Sequence, residues 1–167
     1  MSSENFVLQE IPILLRNIES GNFIGGINRM GETLVRVGTT YIPVKDVEKS
    51  SNWYVNKLGA ELSYQDCDKA IINFANQSFF LVKAGENQSA NFYDANGNER
   101  FSVTFEVNGL NSLERIHHEF IEKGINTGAI EDRGHAGRNF VFSDLDGNKF
   151  DVWSELSPSF KEKNDIL

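Results

Sequence analysis

Two carboxylates, Glu106 and Asp151, lie on short alternating strands beside large aromatic residues, and they are the side chains here best suited to chemistry. A carboxylate on the polar face of a strand can take a proton from a substrate or receive a cation. Trp153, two residues beyond Asp151, and Tyr41 can stack on such a cation. Side chains alternate across a strand, so Tyr41, Phe80, Val82, Ser102, Thr104, Glu106, Asp151 and Trp153 are assigned to one concave side. Aromatic walls with a few polar groups suit a small organic ligand.

The remaining reactive side chains give less. The three histidines are His117, His118 and His135. His117 and His118 fall within a helix, where neighbours point about 100° apart and cannot clamp one metal. His117 is read as bordering the core and His118 as solvated. His135 lies in the loop Arg133-Gly134-His135-Ala136-Gly137-Arg138. It is read as either a general base, a role imidazoles commonly fill, or an exposed loop residue. Arg138 can grip a carboxylate or phosphate, or pair with one of the acidic side chains. Cys67, the single cysteine, is flanked by Asp66 and Asp68, which disfavour a thiolate. Asp144-Leu145-Asp146-Gly147 lacks the glycine and glutamate positions of a calcium-binding EF-hand and reads as a hairpin turn. Gly21–Gly26 lacks the ending of a phosphate loop.

The elements that position these residues follow a repeated plan. Thr39–Lys83 and Phe101–Ser154 each read as a strand, an amphipathic helix ending at glycine, and three further strands. In the first unit Thr40, Ile42 and Val44 share one strand face. Asp46 is placed to cap the following helix, whose stripe is Val47, Ser51, Tyr54 and Leu58 and whose stop is Gly59. Glu61–Gln65, Lys69–Phe74 and Ser78–Lys83 complete it. In the second unit Phe101–Val107 is the opening strand, Asn111 with Glu114 forms a capping box, and Leu113, Ile116, Phe120 and Ile121 form the buried stripe. A turn at Asp146-Gly147-Asn148 leads into Lys149–Ser154. Repeated units of this kind bury their apolar faces by pairing, which leaves a shared cleft.

The boundaries that follow are an N-terminal extension over 1–37, one domain over 38–156, and a polar, fraying tail over 157–167. The domain divides into a first module over 38–84, a linker over 85–98 and a second module over 99–156. In the extension, Val7, Ile11, Leu14, Leu15 and Ile18 approach helical spacing around Pro12, as either an arm for assembly or a partly ordered tail.

A chain of 167 residues suits one compact domain. Its 24 acidic against 16 basic residues give a net charge of −8, which disfavours nucleic acid and anionic membranes as partners and is compatible with a cationic ligand. One cysteine allows no internal disulfide, and no signal peptide is read, so the cytoplasm is expected.

The motifs Ile42-Pro43-Val44-Lys45-Asp46, Trp53-Tyr54, Leu58-Gly59, Phe105-Glu106-Val107 and, above all, the run Phe142–Trp153 give the chain a family likeness. It resembles the vicinal-oxygen-chelate superfamily of glyoxalase I, extradiol dioxygenases, fosfomycin-resistance enzymes and bleomycin-resistance proteins. That resemblance implies an α+β fold in which two βαβββ modules form a half-open barrel cleft, commonly in a homodimer. Metal-binding members carry ligands on each module's first and last strands, positions that fall here on Thr39, Phe80, Ser102 and Asp151. Only Asp151 is a strong ligand among them, so no metal and no other cofactor is expected.

The reading is therefore a metal-independent small-molecule binding protein of the bleomycin-resistance type, with Tyr41, Phe80, Ser102, Thr104, Glu106, Arg138, Asp151 and Trp153 around the ligand. The alternatives are a glyoxalase-like lyase or isomerase using Asp151 or Glu106, and an interaction protein assembling through the N-terminal arm.

Overall fold

The structure is a computed structural model that describes residues 34 and 36–166. Residues 1–33 and 35 of the proposed N-terminal extension, with its helical stripe and the glycines at 21, 25 and 26, lie outside the described residues.

The first module runs β1 (Thr39–Val44), α1 (Val47–Leu58), β2 (Glu61–Gln65), β3 (Lys69–Phe74) and β4 (Gln77–Lys83). Its sheet has the order β1-β4-β3-β2, with β1 parallel to β4 and the other pairs antiparallel. Asp46 has extended backbone and accepts from the Lys49 N–H, so it caps α1 as its position implies. Gly59, at φ 69°, closes the helix in the left-handed conformation that glycine adopts without strain.

The second module repeats the order with β7 (Thr104–Glu106), α2 (Leu110–Glu122), β8 (Asn126–Thr127), β9 (Asn139–Ser143) and β10 (Lys149–Trp153), in a sheet ordered β7-β10-β9-β8. Three local expectations change here. The opening strand spans three residues rather than seven. The capping box does not form, because α2 starts one residue before Asn111, with Gly109 as an N-cap that supplies no side-chain bond. Ile121 is about half exposed, so the buried stripe is Leu113, Ile116 and Phe120.

Between the modules, β5 (Phe92–Tyr93) pairs with β6 (Glu99–Arg100), so the 85–98 segment carries half a small hairpin. The end of the chain folds into α3 (Pro158–Lys163), with proline in its first turn, where the missing N–H costs nothing. The expected fraying is replaced by this helix.

One core joins the modules. Ile42, Val44, Ala70, Ile72, Phe79 and Leu81 from the first sheet and Phe140, Phe142, Phe150 and Val152 from the second are almost fully buried. Each large side chain so removed from water contributes about 1.5–3 kcal/mol. The ring of Phe105 spans the junction, 5.4 Å from Phe74 and 6.0 Å from Phe79. Polar contacts fix the same junction. The turn between β9 and β10 docks on the start of α1: Asp146 accepts from the Lys45 N–H at 2.9 Å and the Ser50 hydroxyl at 2.6 Å, and Asn148 Nδ2 donates to the Pro43 carbonyl at 3.0 Å. The turn that the Asp-Gly pair announces is thus also the clasp between modules.

Candidate functional site

Burying the helix-side residues of each sheet leaves the alternate residues on the open faces. On the first sheet these include Tyr41 and Phe80, adjacent in the β1–β4 register with ring centroids 5.0 Å apart. Tyr41 remains 67% exposed. On the second sheet they are Thr104, Glu106, Asp151 and Trp153, with Asp151 beside Thr104 and Trp153 beside Glu106.

Asp151 is the centre of this second face. It is 3% exposed, yet it is a carboxylate, and its surroundings explain how. Arg133 Nη1 donates to one oxygen at 2.9 Å. Asn139 Nδ2 and the Thr104 hydroxyl donate to the other at 2.8 and 3.3 Å. A buried charge persists only when paired and hydrogen-bonded. The need is strong enough to dictate the orientation of Asn139: its amide N–H faces the carboxylate, and its Oδ1 is left buried without a donor. An unmet acceptor of this kind costs about 1–3 kcal/mol.

A cavity of about 350 Å³ opens above this cluster, lined by Phe101, Thr104, Arg133, His135, Asn139, Asp151 and Trp153. The Arg133 guanidinium lies 5.6 Å from the centre of the Phe101 ring. His135 meets Trp153 edge-on at 5.8 Å, with the rings at 87°. Residues 133–138 close down on β10: Trp153 Nε1 donates to the Ala136 carbonyl at 2.8 Å, and the Arg138 N–H to Ser154 Oγ at 2.8 Å. Gly137 permits that approach. A Cβ there would sit 2.6 Å from Ser154 Oγ, and its φ of +79° is unfavourable for other residues.

Of the sequence-derived residues, the cavity brings together Thr104, Asp151 and Trp153. Tyr41 and Phe80 form their own aromatic pair on the other sheet. Ser102 precedes β7 and donates to the Ala90 carbonyl at 3.0 Å. Glu106 accepts from the Ser157 N–H at 2.9 Å, beside Leu156 and Phe160. Arg138 pairs with Asp132 at 3.0 Å, so the guanidinium at the cavity belongs to Arg133. Both arginines flank one glycine-rich loop, and only its folding separates their roles. His117 contacts the Gly128 carbonyl at 2.8 Å and His118 reaches Glu122 at 3.2 Å, both away from the cavity. The cation-receiving role of Glu106 and Asp151 meets carboxylates that already accept protein donors.

The positions that resemblance assigns to metal ligands do not fit a divalent ion. Phe80 offers a ring, Ser102 is engaged with a carbonyl, and Asp151 holds three donors, one of them a cation. Among the described residues no three His, Cys, Asp or Glu side chains cluster to replace them.

The model of the Glyoxalase/Bleomycin resistance protein/Dioxygenase superfamily matches residues 33–152. The chain belongs to this superfamily. Solved members show the same fold at low identity. A lactoylglutathione lyase from Agrobacterium tumefaciens is 15% identical, with a TM-score of 0.57 over 73% of this chain and 95% of that one. The fosfomycin-resistance protein FosX from Listeria monocytogenes, complexed with Mn(II) and sulfate, is 14% identical, with a TM-score of 0.61 over 79% and 99%. A glyoxalase/bleomycin resistance protein/dioxygenase from Alicyclobacillus acidocaldarius is 16% identical, with a TM-score of 0.54 over 72% and 93%. No curated protein matches. The α+β fold of βαβββ modules is therefore that of the superfamily. No helix among the described residues is long and apolar enough to cross a membrane.

Proposed function

We propose that this superfamily member is a cytoplasmic protein that binds a small organic molecule in the cavity above Asp151, using side chains rather than a metal ion. The observation that carries the reading is the Arg133–Asp151 pair at the base of an aromatic-walled cavity of about 350 Å³. A cavity of this size, with aromatic walls over a polar floor, accommodates a fragment-sized ligand. The pair occupies Asp151 with a guanidinium, which disfavours both divalent-metal coordination and proton abstraction by that carboxylate. Sequestration without transformation follows, in preference to a lyase or isomerase mechanism through Asp151 or Glu106.

The same reading includes a homodimer. Tyr41 and Phe80 stand on an open sheet face, and β1 and β7 are edge strands within their sheets. A second copy that covers these features would bring the remaining aromatic residues toward a cavity.

The test is a thermal-shift screen of small planar organic compounds alongside Mn²⁺, Ni²⁺ and Zn²⁺ in chelator-treated protein, with mass measurement in solution. Organic compounds that raise the melting temperature, with metals that do not, are the expected result. Stoichiometric metal binding that depends on Asp151 would overturn the metal-independent reading.

A further inference from the structure

We propose that Arg133 recognises the ligand through an acceptor oxygen, a carbonyl or carboxylate conjugated to a flat ring. This rests on the small-molecule reading above and names the chemistry of the molecule bound.

A guanidinium carries five N–H donors, no acceptor, and a charge it does not lose. Arg133 commits Nε to Glu131 at 3.1 Å and Nη1 to Asp151 at 2.9 Å. Nη2 makes no hydrogen bond to any described residue, on a side chain that lines the cavity and is 27% exposed. Its complement is an acceptor. Its neighbours offer a donor-bearing ligand little, since the one unmet acceptor among the lining residues, Asn139 Oδ1, is itself buried. Both Asp151 oxygens hold donors, Asn139 has turned its N–H to the same carboxylate, and the Trp153 indole N–H is spent on Ala136. A ligand cation therefore meets no vacant carboxylate on the cavity floor, which reverses the preference expected from the net charge of −8.

The shape requirement comes from the walls. Phe101 lies against the guanidinium, and Trp153 is held by the Ala136 carbonyl and the edge of His135. A rigid flat ring gains contact with such walls at little conformational cost. Asp151 and Glu131 together outweigh the single charge of Arg133, so recognition is by hydrogen-bond polarity and does not demand a full negative charge on the ligand.

The experiment uses three near-isosteric probes: benzoate, benzamide and benzamidinium. The first two present an acceptor oxygen, anionic or neutral, and the third presents donors only. Each is titrated to tens of millimolar into ¹⁵N-labelled full-length protein. The Trp153 indole N–H is observed, with that of Trp53 as an internal reference. Benzoate or benzamide is expected to shift the Trp153 signal saturably while benzamidinium does not. Whichever of the two binds more tightly assigns the oxygen as anionic or neutral, and either supports the proposal. Arg133→Gln is expected to weaken that binding at least tenfold. Should this variant fail to fold, the ranking of probes on the wild-type protein decides. Benzamidinium binding as well as the oxygen-bearing probes, or unchanged affinity in folded Arg133→Gln, overturns the proposal while leaving small-molecule binding in place. No response to any of the three overturns both.

Discussion

Tyr54 donates its hydroxyl to Asp144 at 2.7 Å, joining the helix of the first module to the closing hairpin of the second across 90 residues of chain. Both groups are buried. Desolvation and the Asp144 charge push the tyrosine hydroxyl well above its ordinary range, so it remains a donor. Burial also pushes Asp144 above its ordinary value of 3.8, opposed by hydrogen bonds from Asn148 and Tyr54.

Tyr54→Phe should cost about 1–3 kcal/mol, because it leaves a buried carboxylate oxygen with one donor fewer. A carboxyl whose pKa is raised by folding favours the native state below its unfolded value and loses that contribution as pH rises through the folded value. Removing Tyr54 raises Asp144 further. The deficit should therefore be full at neutral pH and shrink as pH falls toward about 4. Urea midpoints of both proteins from pH 4 to 7 measure it, and a pH-independent difference would refute the linkage.

Asp94 runs in the opposite direction. It accepts from the backbone of Asn98 and Asn96 and from Arg100, and the Asn98 amide leads in holding its pKa at about 2. A depressed carboxyl contributes stability above its unfolded value, 3.8, that is lost as pH falls through about 2. The turn between β5 and β6 should thus stay ordered at pH 3 and loosen near pH 2. Amide shifts of Asn96 and Asn98 are the readout, and in Asp94→Asn that titration should vanish.

The contrast between these residues shows what sequence reading reaches. Asp46, Gly59 and the backbone of the Asp146-Gly147 turn are shaped by their immediate neighbours, so local rules place them correctly. The strand alternation likewise assigns Asp151, Thr104 and Trp153 to one face. Arg133 escapes because it reaches Asp151 from a loop 18 residues away, and alternation does not govern loops. Arg138 has the same loop setting and charge, so composition does not distinguish the two. The Asn111–Glu114 pair misleads because the entry geometry at Gly109 starts the helix earlier than the motif does.

Gly137→Ala should disturb the cavity through Trp153 without replacing any residue that faces the ligand. The added methyl meets Ser154 Oγ at 2.6 Å and Trp153 Nε1 at 2.9 Å, in a backbone conformation unfavourable for alanine. Strain at such a position costs on the order of 1–3 kcal/mol. The expected result is a lower melting temperature together with a changed Trp153 environment, seen in its indole N–H signal. A normal melting temperature with an unmoved signal would mean that the loop is not docked on β10.

The two partners of the cavity's ion pair should respond unequally to removal. Arg133→Met strands a carboxylate whose side chain is 4% exposed, and breaking a buried pair in this way costs about 3 kcal/mol. Asp151→Asn leaves Arg133 partly in water and still paired with Glu131, so its charge is not stranded. The new amide also presents an N–H toward Asn139, whose side chain can then turn its Oδ1 to accept it, so the number of unmet groups does not rise. Asp151→Asn should therefore cost about 1 kcal/mol or less. The double variant should be more stable than Arg133→Met alone, since the stranded charge is gone. Urea denaturation of the four proteins gives the coupling energy directly. Equal losses from the two single substitutions would show that the buried charge of Asp151 does not organise this site.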